Sequence, residues 1–156
     1  MMQTVAQSFA ILLYSTIRRD PMKKSRLLNA ELSTVVAQMG HLDELTICDA
    51  GLPIPNSTQR IDLAISRNLP PLIPVLEAVL RELRVESVLI AAECKLASPD
   101  FYRQLLEVID AENHEIAVEL ISHDEFKVQT SRSRAVVRTG ECTSFANIIL
   151  KSGVTF

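Results

Sequence analysis

Between residues 85 and 92 the chain reads Val-Glu-Ser-Val-Leu-Ile-Ala-Ala, a strand pattern apolar on both faces, with helical patterns on either side. A strand that buries both faces needs cover above and below, and helices supply it in α/β folds. The alternation runs through the whole body. Asn29 is placed to cap a helix over residues 31–39, which Gly40 stops. Residues 44–48 read as a short buried strand, ending at Asp49-Ala50-Gly51-Leu52-Pro53-Ile54-Pro55, where glycine and two prolines forbid regular structure. Residues 60–65 resume as a strand. Pro70 and Pro71 open a helix with Leu72, Leu76, Val79, Leu80 and Leu83 as its apolar stripe. Ser98-Pro99-Asp100 starts another, striped by Tyr102, Leu105, Leu106 and Ile109. Residues 115–121 form a strand pattern, and Ser122-His123-Asp124-Glu125 begins a short helix with a capping residue and early acids. Residues 134–138 and 146–150 close the series as strands. This order predicts an α/β fold of three layers, α/β/α, with a mixed central sheet in a single domain.

Composition narrows the classes of function. Hydrophobic residues make up 47% of the 156-residue chain, aromatics only 4%, and tryptophan is absent, so aliphatic side chains fill the core. The formal net charge of −3, with Lys and Arg scattered among carboxylates, argues against nucleic acid as a partner. Cys48, Cys94 and Cys142 lie far apart without a C-x-x-C spacing, which fits neither a disulfide framework nor structural zinc and suits a reducing cytoplasm. Only four glycines exist, widely separated, so no phosphate loop and no nucleotide cofactor is expected. The apolar run Phe9-Ala10-Ile11-Leu12-Leu13-Tyr14 is too short to span a bilayer, and Arg18-Arg19 follow it where a secretory signal would carry charge before it. Residues 1–21 read as an N-terminal extension, either disordered or an artefact of start-site assignment. Met22-Lys23-Lys24 is then a natural second start, with residues 22–156 as the domain.

Two irregular stretches hold most of the reactive groups, one from Gly40 to Pro53 and one from Arg138 to Asn147, with His123 between them. His41 follows the helix-stopping glycine, where the helix dipole attracts a cation. It reads either as a group that gives and takes a proton or as a surface histidine at a helix end. Asp49 ends an apolar strand, where α/β folds place ligand groups. Its carboxylate could bind hydroxyls, orient the histidine, or simply close an Asx-turn over Ala50-Gly51. His123 is a helix-start residue or a site residue. Asn147 falls inside the strand pattern, so its amide finds partners or costs ~1–3 kcal/mol. Cys142 beside Glu141 has no neighbouring histidine to make it a nucleophile. His41, His123, Asp49 and Glu141 show no ligand-pair spacing, so no metal is expected.

Taken in order, these stretches resemble the D-ribose pyranase and fucose mutarotase family. Gly40-His41-Leu42-Asp43, the loop Cys48-Asp49-Ala50-Gly51-Leu52-Pro53-Ile54-Pro55 and Arg60-Ile61-Asp62 look like its N-terminal signature. Val85-Glu86 through Ala91-Ala92-Glu93-Cys94-Lys95, then Ser122-His123-Asp124-Glu125-Phe126-Lys127, continue the likeness. So do Ala135-Val136-Val137-Arg138-Thr139-Gly140-Glu141, Ala146-Asn147-Ile148-Ile149-Leu150 and the ending Gly153-Val154-Thr155-Phe156. The resemblance spans residues 22–156, and the long loop after Asp49 leans to the ribose branch. It implies interconversion of pyranose and furanose forms of D-ribose in the cytoplasm, without cofactor. It also implies a homo-oligomer, a decamer of pentameric rings, with sites near subunit boundaries. His41 matches the catalytic proton donor, Asp49 and His123 match substrate-binding positions, and Phe145 and Asn147 fall in the C-terminal substrate-binding segment. Phe145 is a departure, because the family's pyranases usually carry Tyr there. Two alternatives therefore stay open: a mutarotase acting on anomers of fucose or another aldose, and a non-catalytic sugar-binding protein on the same scaffold.

Overall fold

The computed structural model describes residues 23–113 and 115–156; the N-terminal extension of residues 1–21 lies outside the described residues. Helix α1 (Ala30–Gln38) begins where the Asn29 side chain accepts the Leu32 N–H at 2.9 Å. Helix α2 (Leu72–Leu80) follows Pro71, and α3 (Ala92–Ala97) leads at once into α4 (Pro99–Glu112), which carries proline in its first turn. Helix α5 (His123–Thr130) starts on a full capping box, with Ser122 and Glu125 each accepting the other's backbone N–H. The strands are β1 (Glu44–Cys48), β2 (Gln59–Asp62), β3 (Val85–Ala91), β4 (Ala117–Ile121), β5 (Ala135–Arg138) and β6 (Ile148–Ser152).

They form one sheet in the order β2-β5-β1-β6-β3-β4. β6 runs antiparallel to both its neighbours, and every other pairing is parallel. The carboxyl ends of five strands and the amino end of β6 therefore share one edge. Leu45, Ile47, Val88, Ile90, Val137, Ile148 and Leu150 point to one face, into a core with the stripes of α1, α2 and α4. Cys48, Leu89, Val136 and Ile149 point to the other face, covered by Phe126 of α5 and by Leu52 from the loop after β1. The three layers are thus unequal. Each fully buried Leu or Ile contributes ~1.5–3 kcal/mol, and such residues dominate the thicker layer.

Several boundaries differ from the sequence pattern, and four of them bear on the fold. β2 stops at Asp62, whose carboxylate accepts the Ala64 N–H at 3.0 Å and turns the chain before residue 65. β4 starts at Ala117, because Asn113 holds Glu115 and Ile116 in a turn. β6 starts at Ile148, because Phe145 takes a left-handed backbone (φ 58°) that no strand accommodates. Asn147 therefore stands just before β6. Finally, Ala92 ends no strand but opens α3, six residues and too short to show a helical period.

Candidate active site

Asp49 is the first residue after β1, on the shared edge. Its Oδ1 accepts the Gly51 N–H at 2.9 Å and the Leu52 N–H at 2.8 Å, which closes the turn into the Gly/Pro loop. Its Oδ2 accepts from Asn147 Nδ2 at 3.0 Å, while Asn147 Oδ1 accepts the Asp49 N–H at 2.9 Å. The carboxylate thus shapes the loop with one oxygen and pairs with the amide through the other. Asn147 is fully buried, so this pairing also meets the requirement that its amide find partners.

His123 opens α5, with its ring edge-on to Phe145 at a centroid distance of 5.0 Å and an interplanar angle of 86°. Its Nδ1 is buried and finds no partner among the described residues. The His123 backbone N–H donates to both carboxylate oxygens of Glu93, at 3.1 and 2.9 Å. That backbone hydrogen bond is the largest influence holding the Glu93 carboxyl below its usual range. Glu93 sits in the first turn of α3 and so fastens the start of α5 to the end of β3. Sequence reasoning missed it, although an acid directly after an apolar strand was the available signal. Phe145 keeps its left-handed backbone at a cost of about 1–3 kcal/mol, with the Ser144 carbonyl before it accepting from Ser98 Oγ at 2.8 Å. Asp49, Asn147, Phe145 and His123 therefore form one connected group.

His41 is not part of it. It precedes β1, at the opposite end of the sheet, and the five residues of β1 rise about 3.4 Å each, or roughly 17 Å in all. The carboxylate beside it is Glu86, whose Oε2 lies 3.0 Å from His41 Nε2; it is not Asp49, whose oxygens serve the loop and Asn147. The turn carrying His41 is firm. Asp43 Oδ2 accepts the Gly40 N–H at 2.8 Å, and the Ser152 carbonyl accepts the Leu42 N–H at 2.9 Å.

Three further groups frame the site. Glu141 is buried, with Oε1 accepting the Cys142 and Thr143 N–H at 3.1 and 3.0 Å and Oε2 accepting the Leu72 N–H at 3.3 Å. Burial pushes this carboxyl up, but the hydrogen bonds from Thr143, Leu72 and Cys142 outweigh it and leave it below the usual range. Its backbone carbonyl accepts the Ala50 N–H at 2.8 Å, so Glu141 ties the Asp49 loop to α2. Arg138 Nε donates to the Ala50 carbonyl at 3.1 Å, and its Nη1 reaches both oxygens of Asp62 at 3.1 Å. Burial pushes the Cys48 thiol up to about 12 and the Cys94 thiol up to about 11, so neither is a ready nucleophile. Among the described residues no group of three His, Cys, Asp or Glu side chains gathers as a metal site.

A carboxylate, an amide, an imidazole and an aromatic ring thus gather at the carboxyl ends of parallel strands, the edge at which α/β sheets carry ligand groups. The chain belongs to the RbsD / FucU transport protein family, whose model matches residues 22–155. The D-ribose pyranase of Psychromonas ingrahamii is 54% identical, and that of Photobacterium profundum 52%, each over 86% of this chain and 100% of its own. The structure of Bacillus subtilis RbsD complexed with D-ribose superposes with a TM-score of 0.81 at 39% identity, over 86% of this chain and 100% of that one. A fucose mutarotase from Streptococcus pneumoniae, in complex with L-fucose, gives 0.70 at 21% identity over 82% and 94%, a likeness of fold.

Proposed function

We propose that this chain is an isomerase that interconverts the pyranose and furanose forms of D-ribose, in the cytoplasm and without cofactor. The reading rests on the Asp49–Asn147 pair with His123 and Phe145 beside it, in a chain 54% identical to a D-ribose pyranase. Asp49, Asn147 and His123 offer acceptors and donors to sugar hydroxyls, and Phe145 offers a flat apolar face to the C–H side of the ring. Ring opening removes the proton of the anomeric hydroxyl, forms the C1 carbonyl, breaks the bond from C1 to the ring oxygen and protonates that oxygen. Closure through a different hydroxyl reverses each change, so no net proton is consumed. Holding the open aldehyde in place favours reclosure over diffusion. His41 is the group that carries the proton.

His41 and the sugar-gripping group are separated by the length of β1, so the working site takes its His41 from a second copy of the chain. The exposure of the His41 side chain (51%) and of neighbouring Leu42 (56%) supports a face covered by another copy. A closed homo-oligomer, a decamer, satisfies this for every copy. The three free cysteines among the described residues suit a reducing cytoplasm, and no helix among those residues is long and apolar enough to cross a membrane.

Saturation-transfer NMR with D-ribose tests the reading. The purified chain is expected to speed exchange between pyranose and furanose resonances, and His41→Ala is expected to abolish this while its circular dichroism stays unchanged. Exchange only between anomers of one ring, or sugar binding with uncatalysed rates, overturns it.

A further inference from the structure

Glu86 is the one residue of β3 without a partner across the ladder. Val85 pairs with Ser152 and Ser87 with Lys151, so two steps on β3 face a single step on β6. The side chains carry the same signature. Val85 and Val88 enter the same core although they lie three positions apart, which strict alternation forbids. The extra residue is a β-bulge, a device that re-aims a side chain and recurs beside active sites. Here it aims Glu86 at His41, with Oε2 3.0 Å from Nε2.

The surroundings keep that aim. A Cβ at Gly153 would stand 3.2 Å from Glu86 Cβ, so glycine there lets β3 and the end of β6 close together. Gly153 N–H donates to the Arg84 carbonyl at 2.8 Å, and Leu42 N–H donates to the Ser152 carbonyl at 2.9 Å. Ser152 Oγ also donates to the Gly40 carbonyl. The backbone on both sides of the pair is therefore fastened to the same end of β6. Neighbouring cations face other acids: Arg84 lies 3.8 Å from Glu115, Lys151 3.9 Å from Glu44, and Arg134 3.8 Å from Asp43.

We propose that Glu86 is a positioning residue for His41, holding its imidazole as the Nε2–H tautomer so that Nδ1 exchanges protons with the sugar. A carboxylate only accepts, so the 3.0 Å contact requires a proton on Nε2. A neutral imidazole has one N–H, which leaves the lone pair on Nδ1. In this arrangement Nδ1 takes the proton of the anomeric hydroxyl, the C1 carbonyl forms and the ring C–O bond breaks. The imidazolium, still bonded to Glu86 through Nε2–H, then returns the Nδ1 proton to the departing ring oxygen. The inference rests on the proposed function, in which His41 carries the proton. Since an exposed pair contributes little to stability, Glu86 variants should fold.

The test combines nitrogen-15 NMR of the His41 ring at alkaline pH with saturation-transfer kinetics on the full chain. Wild type is expected to show the Nε2–H tautomer. Glu86→Ala is expected to mix the tautomers and lower kcat about 10- to 100-fold, as loss of an outer-shell partner does elsewhere, with KM nearly unchanged. Glu86→Gln, whose amide can still accept, is expected to fall between. An Nδ1–H tautomer in wild type overturns the proposal, as does an unchanged kcat in Glu86→Ala or a raised KM with kcat intact. A wild type without exchange, or a fully active His41→Ala, overturns the functional reading as well. An active wild type and a dead His41→Ala beside a fully active Glu86→Ala overturn the role of Glu86 alone.

Discussion

Asp49 and Asn147, 98 residues apart in the chain, hold each other through two hydrogen bonds, one from a backbone N–H and one from a side-chain amide. This pair joins the end of β1 to the start of β6, and Asp49 sets the loop that follows.

Asn147→Ala leaves the Asp49 N–H and Oδ2 without their protein partners. The expected loss is ~1–3 kcal/mol, and each kcal/mol lowers the melting temperature of a domain this size by about 2–4 °C. Calorimetry reads the shift. Asn147→Asp sets a second carboxylate against Asp49 and is expected to abolish ribose binding as well, which titration calorimetry checks.

Phe145 supplies an aromatic face without a hydroxyl. Phe145→Tyr adds a donor and acceptor at the ring edge, beside the group formed by His123 and Asn147. A gained hydrogen bond of ~0.5–1.5 kcal/mol tightens ribose binding by roughly 2- to 12-fold. Equal affinities would show that this ring position does not face the sugar's hydroxyls.

The Glu141 carboxyl has a lower pKa folded than unfolded, although burial alone would raise it, because Thr143, Leu72 and Cys142 hydrogen-bond its ionised form. In acid the unfolded chain therefore binds the extra proton. The stabilisation from Glu141 is complete above the ordinary value of 4.5 and is lost as pH falls through the lower folded value. Urea unfolding of wild type and Glu141→Gln at a series of pH values is expected to show a steeper acid decline in wild type. Parallel curves would place that acid sensitivity elsewhere.

Local signals made much of the fold legible. The stripe of α2, the proline start of α4 and the capping box of α5 each lie within a few consecutive residues. What escaped was set by distant contacts or by single backbone angles. The positive φ of Phe145 shortens β6, and the turn at Asp62 ends β2. Glu86 lies inside a pattern that reads as a strand apolar on both faces, and the bulge that sets it apart becomes visible only when Val85 and Val88 are found in the same core. Asp49 and Asn147 were each singled out, but nothing in their spacing paired them. His41 and Asp49 are neighbours in sequence yet stand at opposite ends of β1, and strand length alone separates them.

That separation yields the last prediction. If each site combines Asp49, Asn147 and His123 of one copy with His41 of another, two inactive variants can repair each other. A His41→Ala chain keeps Asp49, Asn147 and His123 intact, and a His123→Ala chain keeps an intact His41. Each variant alone is expected to show no catalysed exchange. Co-refolded in equal amounts, they form mixed oligomers in which roughly a quarter of the sites draw an intact half from each chain, since a closed assembly fills both halves from the same pool. Saturation-transfer NMR should then recover about that fraction of wild-type exchange. An oligomer that mixes freely yet stays inactive would mean that His41 reaches the sugar within its own chain, which would require the turn at residues 40–43 to leave its bonds to Ser152.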